Sequence, residues 1–188
     1  MRLFLPAIFI LLLAACSGGA GDDTAVPRRT AFPRVPDLSD STVVITVGNI
    51  CFELSSDASV SHPSETWLDA SYPVLGATLH MSVNRTYTPE AFEEALDNRL
   101  QRISLNLGDA SAGVSRFVNE NGFDCEMVVA PEGVATPVQF MAGWQRNVFV
   151  SGSFVISGSI APADSIRPVV EHLQSQAVLL LNTLHTVR

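Results

Sequence analysis

Apolar residues at every second position set the class of fold open to this chain. Ile50, Phe52 and Leu54 alternate with Cys51 and Glu53, and Ala77, Leu79, Met81 and Val83 alternate with Thr78, His80 and Ser82. Phe123, Cys125, Met127 and Val129 likewise alternate with Asp124 and Glu126. A period of two puts one set of side chains on each face of the backbone, so each run predicts a half-buried strand. Further strands are expected at 42–47, 114–119 and 136–142, and as a hairpin of 146–150 with 152–158. Turn dipeptides such as Asn121-Gly122 and Glu132-Gly133 lie between runs, and short turns favour antiparallel neighbours.

Two segments change period. Thr88-Pro89-Glu90 combines an N-cap threonine, a proline at the first helical position and an acid at the positive end of the dipole. Phe92, Ala95, Leu96, Arg99, Leu100 and Ile103 then form one helical face, and Gly108 is placed to close the helix as a left-handed cap. A second helix begins near Asp164 and Ser165, with Ile166, Val169, Val170, Leu173, Ala177, Leu180, Leu181 and Leu184 in one stripe and Pro168 in its first turn. The expected fold class is α+β: an antiparallel sheet of about six or seven strands packed by two amphipathic helices.

The amino terminus gives an address. Arg2 precedes the apolar run 3–13, which is shorter than the ~20 residues a membrane-spanning helix needs and has the form of a signal peptide. It ends in Leu13-Ala14-Ala15-Cys16, a bacterial lipobox, in which Leu13, Ala14 and Ala15 fit the signal peptidase and the Cys16 thiol is the site of lipid attachment. Residues 1–15 are therefore expected to be removed, residues 16–40 to act as a flexible tether rich in Gly and Pro, and residues 41–188 to form a single domain. The chain of 188 residues has 19 acidic and 11 basic side chains, a net charge of -8, and loses Arg2 on cleavage. An anionic body is repelled by an anionic bilayer, so acyl chains on Cys16 are the expected link to the membrane.

The same charge balance argues against nucleic acid. Every basic residue is arginine, which excludes Schiff-base and P-loop lysine chemistry. His62, His80, His172 and His185 show neither i, i+4 pairing nor zinc spacing, so no metal is expected. No Gly-x-Ser-x-Gly elbow occurs, and no catalytic residue and no cofactor is expected. Trp67-Leu68-Asp69-Ala70-Ser71-Tyr72-Pro73 reads as a polar-aromatic loop entering a strand. Aromatic residues with polar handles recur at interfaces, which makes Trp67 and Tyr72, with Arg146, a candidate interaction surface. A loop anchored on its own sheet and a solvated arginine are the alternatives. Cys51 and Cys125 remain once Cys16 is acylated; an oxidising compartment favours a disulfide, whereas the alternation sets them on opposite sides of a sheet, and both outcomes stand open.

Trp67 to Val83 (WLDASYPVLGATLHMSV), Thr136 to Phe140 (TPVQF) and Phe149 to Val170 (FVSGSFVISGSIAPADSIRPVV) occur in an order and spacing that resembles the gliding-motility lipoprotein GldD family of Bacteroidota. The lipobox and the Pro/Arg leader from Pro27 to Pro36 extend the resemblance over nearly the whole chain. It implies an accessory envelope lipoprotein of gliding motility and type IX protein secretion, without enzymatic activity, whose partners are other envelope gliding and secretion proteins. The body is then expected in the periplasm, with outer-membrane attachment favoured over inner because Ser17 follows Cys16. The order of strands and helices is also similar to the PsbP/Mog1-type sandwich. Asp23-Thr24-Ala25, Asp40-Ser41-Thr42 and Asp164-Ser165-Ile166 resemble O-glycosylation signals of that phylum, at Thr24, Ser41 and Ser165. The competing expectation is a lipoprotein that binds a small apolar or glycan ligand between sheet and helices.

Overall fold

The alternating runs become strands that bury one face each. A computed structural model describes residues 35–131, 133–157 and 163–187, without the side chains at 62, 63 and 163–165. The expected signal peptide, the lipobox with Cys16, Thr24 and all of the tether up to residue 34 lie outside the described residues, as does the side chain of Ser165. The elements run β1 (Thr42–Val47), β2 (Ile50–Ser55), β3 (Ser59–Ser64), β4 (Trp67–Tyr72), a 3-10 turn (Pro73–Leu75) and β5 (Ala77–Arg85). Then follow α1 (Pro89–Leu107), β6 (Gly113–Val118), β7 (Asp124–Val129), β8 (Val138–Trp144), β9 (Val148–Ile156), α2 (Ala163–Thr183) and β10 (His185–Thr186).

Seven strands form one antiparallel sheet in the order β3-β4-β5-β9-β8-β7-β6, and β1, β2 and β10 form a second sheet of three. The α+β class with two helices is thus as expected, and the extra sheet comes from strands at the two ends of the domain. The inner face of the large sheet carries Leu68, Ala70, Tyr72, Leu79, Met81, Val83, Met127, Phe140, Val150 and Phe154. They share one core with Ile50, Phe52 and Leu54 of β2 and with Ile166, Val170, Leu173, Ala177, Leu180 and Leu181 of α2. Of the stripe read for the second helix, α2 buries Ile166, Val170, Leu173, Ala177, Leu180 and Leu181, Val169 is partly buried, and Leu184 is buried just past the helix end.

Several local expectations are corrected. Trp67–Tyr72 is a strand, because Leu68, Ala70 and Tyr72 alternate inward. The segment read as a hairpin across Gly152 is the single strand β9; Gly152 leaves room for the Phe140 ring, to which an added Cβ would approach within 2.4 Å. The strand expected at 136–142 is displaced to 138–144. Pro168 is the sixth residue of α2, past the first turn, so it forgoes a hydrogen bond to the carbonyl of residue 164. The start signals of α1 hold, with the Thr88 side chain accepting from the Ala91 amide at 3.2 Å, whereas the left-handed cap expected at Gly108 is corrected: Gly108 follows the end of the helix with φ 53 but with ψ -121, outside the left-handed well.

Candidate functional site

The helix α1 covers only part of the outer face of the seven-stranded sheet, and a groove forms where it stops. Of the face read from its sequence, Arg99 and Ile103 are buried while Leu100 is exposed. The partly buried Phe92 sets its ring edge-on to Phe149 of β9, with centroids 5.7 Å apart, and over Gly143 of β8, where a Cβ would lie 2.6 Å from the ring. That glycine lets the helix come down on the sheet. Beside this contact a groove of about 570 Å³ is lined by Phe92 and Leu96 of α1, by Met141, Gly143 and Phe149, and by Val118 near the edge of the sheet. Its rim is charged: Arg116 Nε donates to Glu126 Oε2 at 2.5 Å across β6 and β7, and Arg146 Nη2 lies 2.9 Å from Glu93 Oε1 of α1. The Glu126 carboxylate raises the Arg116 pKa, first through their hydrogen bond and then through its charge.

The turn that bears Arg146 is strained. Between β8 and β9, the Asn147 amide donates to the Trp144 carbonyl, and the two central residues, Gln145 and Arg146, have φ 48 and 54. Positive φ at both central positions is the requirement of a type I′ turn, which Asn-Gly meets at little cost. Side chains bearing a Cβ are held there at a cost of about 1–2 kcal/mol each. Thr86 holds the loop from beside it: its amide donates to the Asn147 carbonyl at 2.9 Å and its hydroxyl to the Arg146 carbonyl at 3.1 Å. Among the described residues these are the only non-glycine positions with positive φ.

The other expected site residues disperse. Arg146 is at the groove rim and Trp67, 40% exposed, opens β4 in a cross-strand row with Ser82, Ser151 and Met141, three strands from Met141. Tyr72 leaves the surface set: it is 1% exposed, tilted against Phe154, and its hydroxyl donates to Gln176 Oε1, because β4 turns it inward. Burial pushes its phenol above the ordinary range. Cys51 and Cys125 are free and buried, Cys51 in the small sheet with Sγ 3.0 Å from Thr46 Oγ1, and Cys125 in the large one. Burial, and then the charge of Asp124, push the Cys125 thiol up to about 12.

One arrangement was not legible before the strands were paired. Asp69, His80 and Ser153 stand side by side on β4, β5 and β9, with His80 Nδ1 2.6 Å from Asp69 Oδ1. The order is that of a hydrolytic relay, but among the described residues no hydrogen bond joins Ser153 to His80. The next residue in the row, Gln139, is wholly buried under α1, its Oε1 accepting from Asn106 Nδ2 at 2.9 Å. No three His, Cys, Asp or Glu side chains converge on a common point among the described residues.

The family model of the gliding motility lipoprotein GldD matches residues 23–186, which takes in every described element. The chain belongs to the GldD family. Membership carries a role associated with gliding motility and the place of a lipid-anchored envelope protein. No helix among the described residues is long and apolar enough to cross a membrane. No curated protein matches the chain in sequence. Among solved structures, it is similar to the Ran-binding protein Mog1p of Saccharomyces cerevisiae, at 12% identity over 80% of this chain and 97% of that one, with a TM-score of 0.44. Likeness at that level carries no argument about function. For this GldD family member, the site rests on the groove and its strained turn.

Proposed function

We propose that this chain is a non-catalytic accessory factor of gliding motility and of the associated type IX secretion machinery, and that the groove beside α1 docks a component of that machinery. The observation that supports the reading is the turn at Gln145 and Arg146, where strain sits at the mouth of a groove. Strain held at a surface is explained when a contact made there offsets it. Replacing Gln145 by Asn and Arg146 by Gly together is expected to raise stability by about 1–2 kcal/mol, measured by urea unfolding, and to reduce gliding. A stabilised protein with undiminished gliding would remove the groove from the machinery.

The body is held by acyl chains on Cys16, at the outer rather than the inner membrane, and faces the periplasm. Cys16→Ala is expected to move the protein from the membrane to the soluble fraction and to abolish gliding and secretion together; full function of the soluble variant would refute anchoring as a requirement. The row of Asp69, His80 and Ser153 is assigned to the sheet surface rather than to catalysis. Ser153→Ala is accordingly expected to leave motility unchanged, scored by colony spreading.

A second reading, a bound small apolar or glycan ligand, draws on the groove volume of about 570 Å³, within the range of ligand pockets. Native mass spectrometry of protein isolated from envelopes separates the two. A releasable small molecule supports the ligand, and its absence the docking reading.

A further inference from the structure

The large sheet has two edges, and they are treated differently. At β3 the register with β4 breaks between Ser61 and Ser64, and Pro63 has no amide hydrogen to offer. A bulge and a proline are the usual means of closing an edge to further strands. At β6 the register with β7 is unbroken from Gly113 to Val118, and the strand contains neither proline nor lysine. Val114 and Val118 are 51% and 64% exposed, and no backbone hydrogen bond from β6 to a strand other than β7 occurs among the described residues. A row of unpaired amides and carbonyls beside exposed valines is a template for one more strand. Val118 and Arg116 of this strand also line the groove, so an added strand would run along its lip.

We propose, resting on the docking reading above, that β6 receives an extended segment of a partner protein as an eighth strand, with β-branched residues beside Val114 and Val118 and a carboxylate beside Arg116. Those three side chains share the outer face with Val128, Glu126 and Asp124 of β7. Arg116 uses Nε toward Glu126, which leaves its two Nη groups for a second carboxylate across the edge. A second copy of this chain is the poorer occupant. Two β6 strands paired antiparallel about Arg116 would set arginine opposite arginine, and like charges directly opposite oppose pairing. The strand β1 is the other regular edge of six residues, but it belongs to the small sheet and does not line the groove.

The test uses the full-length lipoprotein in detergent and a synthetic peptide, Thr-Val-Thr-Glu-Thr-Val-Thr, capped at both ends. Hydrogen exchange at residues 113–118 is expected to slow when the peptide is added. N-methylation of alternate peptide amides is expected to abolish the effect, and lysine in place of the glutamate to weaken binding about tenfold. The double variant Val114→Lys, Val118→Lys is expected to keep its unfolding midpoint within a few degrees, to lose the peptide, and to lose gliding in cells. Unchanged exchange at β6, protection at β1 instead, equal binding of the N-methylated peptide, or dimerisation through β6 on sedimentation would each overturn the proposal. If β6 is silent while the turn variant still impairs gliding, the eighth strand fails and the docking groove stands.

Discussion

Gly152→Val is expected to destabilise the domain by about 3 kcal/mol or more, a shift of roughly 10 °C in the unfolding midpoint. Gly152 is in β9, with Met81 of β5 on one side and Phe140 of β8 on the other. A Cβ there meets the Phe140 ring at 2.4, 2.8 and 3.0 Å, and the ring is wholly buried and packed against Phe154 at 6.4 Å between centroids. Neither partner has room to retreat, so the added methyl groups force the two strands or the ring from their positions. Calorimetry of the variant gives the size of the effect. Combining Gly152→Ala with Phe140→Leu gives its cause, since a steric clash predicts that the pair is less harmful than the two changes summed. Strict additivity would place the damage elsewhere.

Asn119→Leu is expected to cost about 3–4 kcal/mol by the same measurement, although it replaces a polar side chain with an apolar one of similar size. Asn119 follows β6 and is buried with all of its capacity used. Its Nδ2 donates to the carbonyls of Leu181 and Leu184 at 2.8 and 2.9 Å, and its Oδ1 accepts from the amides of Asn121 and Phe123, each at 3.0 Å. The first pair satisfies carbonyls left open at the end of α2, and the second closes the turn between β6 and β7. Leucine would strand groups on both sides. Asn119→Asp keeps the two amides at Oδ1, which favour a carboxylate, but buries the charge and turns its other oxygen toward two carbonyl oxygens; burial and that repulsion together are expected to outweigh the amides and raise its folded pKa above the unfolded value. The stability of that variant is then fully present below the unfolded pKa and is lost as the pH rises through the folded one, the reverse of an ordinary paired aspartate. A urea midpoint that rose with pH in this range would refute the arrangement.

The sequence made some elements plain because their signal is local. The start of α1 at Thr88, Pro89 and Glu90 and the stripe of α2 need no knowledge of neighbours. The strand β4 was concealed because Asp69, Ala70 and Ser71 have low strand propensity, and only pairing with β5 makes their alternation count. Gly152 between Ser151 and Ser153 has the composition of a turn, and its role as space for Phe140 belongs to the adjacent strand. The site was harder still. Arg146 stands out only as a cation, and nothing local marks Gln145 and Arg146 as a pair with positive φ, since the Asn and Gly residues that announce one are absent. Tyr72 was misplaced for the related reason that an aromatic residue with a hydroxyl serves equally in an interface and in a core with a hydrogen-bond partner such as Gln176.

The small sheet brings β1 and β2, at the start of the domain, against β10 at its end. The Glu53 amide donates to Thr183 Oγ1 across 130 residues of chain, and the Ser55 amide to Gln176 Oε1 across 121. Contacts this distant in sequence form slowly, because a long loop must close before they contribute. The first strands of the body therefore wait for its last helix, and a chain still emerging from the ribosome has no finished core to fold around. Late closure of this kind leaves the body an open chain until its last helix has been made.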